Sequence, residues 1–231
     1  MCLAPILTLP LALALSVPLA AQELAVEVST LDGRVSEAIS LGFDGQVEQA
    51  NRELLALAAE ADSLAESAAM SDGDRAAALR IAGHAWYYAA QNHDPEWNDE
   101  AGQALEVEWL SKALDRLERS RALDAANFQS SYEYRGVTGQ LWQHGERLQD
   151  ERWVTWSAAR VAANRLRVEE YGDDYFEKNM LAEALFDHGW ITGEKAMLAE
   201  AEELAASIPD DELKYGVREK RKAIAESRAP Y

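Results

Sequence analysis

Four histidines, His84, His93, His144 and His188, are the side chains of this chain best suited to proton transfer or metal ligation. They stand far apart, with no HExxH or other pair at ligand spacing. Each reads as an ordinary helix or loop residue. The densest set of oxygen and nitrogen ligands is the loop from His93 to Glu100, which includes Asp94, Glu96 and Asp99. A calcium loop needs regularly alternating ligands and a turn glycine, and both are missing, so this segment reads as a solvated acidic loop. No GxSxG, P-loop or GxGxxG occurs, and Gly136 and Gly139 lie in a helical stretch without the preceding strand that phosphate binding would require. The sequence predicts no catalytic residue, no metal ligand and no cofactor, and hence a protein that is not an enzyme.

Composition narrows the partners. Of 231 residues 48% are hydrophobic, with only 13 Gly and 6 Pro, and the abundance of Ala, Leu and Glu favours helix with little or no sheet. The 41 acidic residues against 22 basic ones give a net charge of -19, which repels phosphate backbones and anionic headgroups, so nucleic acid is not an expected partner. Residues 1 to 21, "MCLAPILTLPLALALSVPLAA", carry no charge, an apolar centre and small residues at Ala20 and Ala21. That is the layout of a secretory signal peptide cleaved near Ala21, although a basic residue near its start is missing. The competing reading is a membrane anchor. The apolar run is shorter than the roughly 20 residues of a spanning helix, and Pro5, Pro10 and Pro18 interrupt it. The expected address is therefore periplasmic or secreted, without stable membrane insertion after cleavage. Cys2 is the only cysteine, so a mature chain from residue 22 has no disulfide, thiol nucleophile or zinc-thiolate site.

The positions that could act must be held by helices. Between Gly45 and Met70, Val47, Ala50, Leu54, Leu57, Ala58, Ala61, Leu64 and Ala65 recur at steps of three and four, the signature of an amphipathic helix. Ser71 to Asp74 offers caps for a second helix carrying Leu79, Ala82, Gly83 and Trp86 and ending near Asn92. A third begins near Ala101 and runs to Leu123, and a fourth begins at Phe128 with Tyr132, Tyr134, Val137, Leu141 and Trp142. Further segments run from about Gln149 to Glu170, Tyr175 to His188, Lys195 to Ser207 and Asp210 to Ser227. In the second of these, Phe176, Met180, Leu181, Ala184 and Leu185 stand in register. Eight helices with mostly short connections predict four consecutive antiparallel hairpins in a single domain over residues 22–231. "REKRK" from Arg218 to Lys222 reads as a solvated face suited to a helix C-terminus.

The stretch "SKALDRLERSRALDAANFQSSYEYRG" resembles the tetratricopeptide repeat. Ala113, Leu117 and Ser120 stand where that family has small, large and small packing residues, and Leu123-Asp124-Ala125-Ala126-Asn127 matches its joint, with Ala125 in place of the usual proline. Weaker likenesses occur from Leu79 to Trp86, with Gly83 as the small contact residue, and in "NMLAEALFDHG". The resemblance implies an all-α, right-handed array of about four hairpins, a tetratricopeptide-like solenoid with a concave binding surface and atypical end units.

Seven tryptophans and eight tyrosines are many for such a chain, and Trp86-Tyr87-Tyr88 cannot all face one side of a helix. Most should pack between hairpins. Tyr88, Tyr132, Tyr134, Arg135 and Trp142 are the candidates for a recognition groove, since amphipathic rings beside an arginine suit protein contacts. Tyr134 has a competing place in the core beside Val137 and Leu141. Two functions follow as expectations: an exported adaptor that binds a protein or peptide on the concave face, and a small-ligand carrier with an apolar pocket. N-terminal sequencing of the envelope fraction checks the address: the mature protein should begin near Ala21 or Gln22, and Met1 retained in a membrane pellet would contradict it.

Overall fold

The computed structural model describes residues 19–226, apart from 94 and 97. Most of the segment read as a signal peptide, residues 1–18, lies outside the described residues. The described residues form nine α-helices and no strand: α1 (Leu19–Phe43), α2 (Val47–Ala65), α3 (Asp72–Gln91), α4 (Glu100–Leu123), α5 (Ser131–Leu148), α6 (Trp153–Tyr171), α7 (Tyr175–Thr192), α8 (Lys195–Ala206) and α9 (Tyr215–Ala225). None of these is long and apolar enough to cross a membrane.

The expected caps explain several boundaries. Ser71 accepts a hydrogen bond from Asp74 N at 3.1 Å and donates its hydroxyl to the Asp74 carboxylate at 2.6 Å, which fixes the first turn of α3. At the joint after α4, Asp124 accepts from Asn127 Nδ2 at 2.9 and 3.0 Å, and Ala125–Asn127 form one 3-10 turn. Because Phe128 is extended, α5 starts at Ser131 rather than Phe128. Periodicity in the sequence predicts eight of these helices, and α1 is additional to them. Its stripe of Val28, Leu31, Val35 and Ala38 is nonetheless buried, and it packs with Leu54 and Leu79 in the first of three core clusters.

Each helix from α1 to α8 packs against the next, α1 also packs on α3, α3 on α5 and α7 on α9, and Arg135 of α5 pairs with Glu177 of α7. Odd-numbered helices therefore make one layer and even-numbered helices the other, giving four hairpins followed by α9. With α1 included, the joint after α4 falls between hairpins. Close approach between α3 and α4 depends on Gly83, because a Cβ there would stand 2.8 Å from Leu117 Cγ and 3.3 Å from the Ala113 carbonyl. One turn further along α4, the buried Ser120 hydroxyl donates to the Ala76 carbonyl at 2.7 Å.

Ion pairs join neighbouring helices both within and between the layers. Arg116 of α4 holds Asp62 of α2 by two hydrogen bonds of 3.0 Å. In the C-terminal half, the wholly buried Asp187 of α7 takes Arg160 of α6 at 2.7 Å and Lys220 of α9. Lys220 thus corrects the reading of "REKRK" as a solvated face. In a helix that also buries Val217 and Ala223, position 220 turns inward and its charge is met there by Asp187.

Gly83→Leu should lower stability by about 1–3 kcal/mol, because Leu117 and the Ala113 carbonyl occupy the space it needs. Chemical denaturation checks this, and an unchanged midpoint would contradict the contact.

Candidate functional site

The odd layer brings three of the five expected site residues to one run of rings and cations. Phe43, at the end of α1, meets Tyr88 of α3 edge to face, with centroids 6.5 Å apart, and Tyr88 meets Tyr87 at 5.1 Å. Tyr132 of α5 lines the same cleft as these rings. The Arg135 guanidinium lies 5.6 Å from the Tyr132 ring and 5.4 Å from Phe176 of α7, and Lys214 Nζ, just before α9, sits 3.7 Å from Phe176. Phe43, Tyr132 and Phe176 are 79%, 55% and 48% exposed, so the run is open to solvent.

Arg135 is fixed from beneath. Its guanidinium pairs with the buried carboxylate of Glu177, whose other oxygen accepts from Arg167 Nη2 at 2.8 Å. One acid between two guanidiniums holds Arg135 in place between two rings, which adds cation-π attraction to the ion pair. Gly136 makes room for this layer to close, since any Cβ there would collide with the Tyr87 hydroxyl.

Tyr134 and Trp142 are not part of this run. Tyr134 is 2% exposed, packs with Val137 and Leu141, meets Phe128 edge to face at 6.1 Å, and donates to Glu118 at 3.2 Å. Two residues along a helix are about 200° apart, so Tyr134 cannot share the face of Tyr132. Burial pushes the Tyr134 phenol and the Glu118 carboxyl upward. Trp142 lies two turns beyond Arg135 but is covered by Arg160, whose guanidinium carbon is 4.3 Å from the ring.

Phe43, Tyr87, Phe176 and Lys214 join the run without having been singled out as site residues. Phe176 shows why: the sequence placed it in register with Met180 and Leu181, whereas it directly follows the first helical residue after the Asp174 cap and stands half exposed. A ring beside a helix-capping aspartate was the available signal. Phe43 belongs to the helix that the sequence reading missed.

Beside the run, His84 Nε2 lies 2.7 Å from Ser130 Oγ and 3.6 Å from Glu133 Oε2, while Arg80 pairs with Asp32 at 3.1 Å. Ser130 is fully buried, so this His and Ser hold α3 to α5 and present no nucleophile. Burial lowers the His84 pKa below its ordinary 6.5, against the opposing pull of Glu133. Among the described residues no three His, Cys, Asp or Glu side chains are grouped to hold a metal ion. In the acidic loop, Asp99 caps α4 through Gly102 N at 3.0 Å and His93 reaches the Gly102 carbonyl at 3.2 Å, while Asp94 lies outside the described residues. An open groove of 720 Å³ is on the other side of Tyr134, between α4 and α6, and is lined by five alanines together with Leu114, Glu118, Arg121, Tyr134, Thr155 and Trp156. Neither a family model, nor a curated protein, nor a solved structure matches the chain.

The lowered His84 pKa sets the sign of a pH effect. Below about 6.5 the unfolded chain binds the proton that the folded chain refuses, so this contribution is present above that pH and is lost as the pH falls. Between pH 7.5 and 5.5, approximately the range where histidine titrates, wild type should lose more stability than His84→Gln. Equal losses in paired melts would contradict a neutral buried His84.

Proposed function

We propose that the protein is a non-enzymatic adaptor that binds a protein or peptide segment along the odd-numbered helices. The observation that carries this reading is the exposed run from Phe43 through Tyr88, Tyr132 and Arg135 to Phe176 and Lys214, contributed by successive hairpins. Aromatic rings and an immobilised arginine are the side chains that concentrate binding energy at interfaces, because they cover much area with little entropy lost on contact. A run built from separate helices suits an extended segment better than a compact ligand. The tetratricopeptide-like reading belongs to the same proposal and is supported by the packing of Gly83 against Ala113 and Leu117. The proposed address outside the cytoplasm rests on the N-terminal sequence alone.

The carrier alternative has the 720 Å³ groove in its favour, a size that suits a small molecule. That groove is open, and five of its eleven lining residues are alanines, beside Glu118, Arg121 and the buried rings of Tyr134 and Trp156. It offers little to orient a ligand, whereas the aromatic run is formed and exposed.

Tyr132→Ala with Phe176→Ala should weaken crosslinked capture of the envelope partner about tenfold or more while stability changes by less than about 1 kcal/mol, because both rings are surface residues. Undiminished capture by a normally folded double variant would remove the proposed face from consideration.

A further inference from the structure

At the α1 end of the run the rings turn around a space instead of lying flat. Tyr88 meets Phe43 at an interplanar angle of 76° and Tyr87 at 63°. Rings set so steeply form walls. Tyr132, reaching over from α5, supplies another, and Ile39, Gln91 and Asn92 complete a cleft of 190 Å³. Two of its rings, Phe43 and Tyr132, stand largely in solvent and flank an opening.

The electrostatics of this space are mainly negative, with Arg135 pulling the other way on the Tyr87 phenol. No Lys or Arg lines it, and each ring presents a negative face. Glu133 is near enough that, after burial, its charge helps to keep the Tyr87 and Tyr88 phenols protonated. Arg135 lies beyond Tyr132, with its charge met by Glu177. An anion placed in the cleft would meet rings and the Glu133 carboxylate, with the Arg135 charge already engaged by Glu177, whereas a cation would be attracted by both the rings and Glu133. The chain's net charge of -19 adds long-range attraction of the same sense.

Size and hydration specify the cation further. A cleft of 190 Å³ is smaller than the roughly 300–1,000 Å³ of ordinary small-molecule sites, so it accommodates one headgroup or side-chain end. A bare ammonium or guanidinium would give up hydrogen bonds to water that these rings replace poorly. An alkylated ammonium keeps its charge, surrenders less hydration and offers apolar surface to the ring faces.

We infer that the cleft formed by Phe43, Tyr87, Tyr88 and Tyr132 is a binding site for an alkylated ammonium group. In the adaptor role proposed above, on which this inference rests, the group is the end of an N-methylated lysine side chain on the bound segment. The rest of that segment continues past Arg135 toward Phe176.

Calorimetric titration of the full chain with tetramethylammonium chloride, with choline and with a short peptide containing one trimethyllysine tests the site. All three should bind saturably, the peptide most tightly. The neutral tert-butyl isostere of choline should bind about tenfold more weakly or worse, the discrimination expected of a desolvated cation-π site. Tyr132→Leu should reduce ammonium affinity by a similar factor, and Tyr132→Phe, which keeps the ring face, should retain it. Tyr88→Leu should behave like Tyr132→Leu, and the exposed Tyr132 carries the test if Tyr88→Leu fails to fold. No saturable binding of tetramethylammonium by wild type, equal affinity for the neutral isostere, or unchanged affinity in Tyr132→Leu would each overturn the inference. Choline binding as tightly as the peptide would keep the ammonium site but assign it to a free small cation. Phe176→Ala separates the two proposals. It lies off the cleft, so it should spare ammonium binding while weakening partner capture, and capture that depends on Phe176 without any ammonium affinity would leave the adaptor reading standing alone.

Discussion

The distance at which one helix can approach the next is the constraint on which this molecule depends. Each helix has an apolar stripe that water disfavours, and α2, α3 and α7 fill theirs with alanine or glycine at Ala58, Ala61, Ala82, Gly83, Ala182 and Ala184, all buried. Small residues at a contact bring backbones together, so larger neighbours such as Leu117 and Leu185 interlock instead of holding the helices apart. Two layers result, and the run of rings on the odd layer follows from them. Tyr88, Tyr132 and Phe176 lie on three successive hairpins but join one run because α3 packs on α5 and Arg135 of α5 reaches Phe176 and Glu177 of α7.

Charge does inside this protein what apolar surface does elsewhere. Asp187 between Arg160 and Lys220, and Glu177 between Arg135 and Arg167, are acids each held by two cations. Removing any member would strand a buried charge, which is far costlier than the intact group is stabilising. These groups therefore specify which helices meet more than they add to stability. The Glu177 group also has an outward consequence, because the arginine it fixes is the partly buried one between two exposed rings.

Local chemistry was legible in the sequence, and facing was not. Ser71 and Asp124 announced helix boundaries because a cap acts within three residues, and Gly83 announced a close contact through its place between Leu79 and Trp86 in the repeat-like pattern, whereas a Cβ at Gly139 in α5 would meet nothing. All-helical architecture followed from periodicity. Tyr132 and Tyr134 have the same local signal, and only the 200° between them and the position of α4 decide that one is exposed and the other is core. Lys220 reads as surface in any window of sequence, since its partner Asp187 is 33 residues away. The cleft could not be read at all, because its rings come from α1, α3 and α5 and acquire meaning from their mutual angles.

The Asp187 group also bears on how the array opens. Stacked helices with mostly local contacts can fray from an end one helix at a time, and α9, short and charged, would seem the first to leave. Its Lys220, however, is held by the same carboxylate that holds Arg160 on α6. Detaching α9 leaves Asp187 with one cation fewer and admits water to α6 and α7 together, so α6, α7 and α9 are coupled into one cooperative unit. Backbone amides of α9 should then exchange with solvent on the slow timescale of the interior, and the terminal helix is kinetically part of the core.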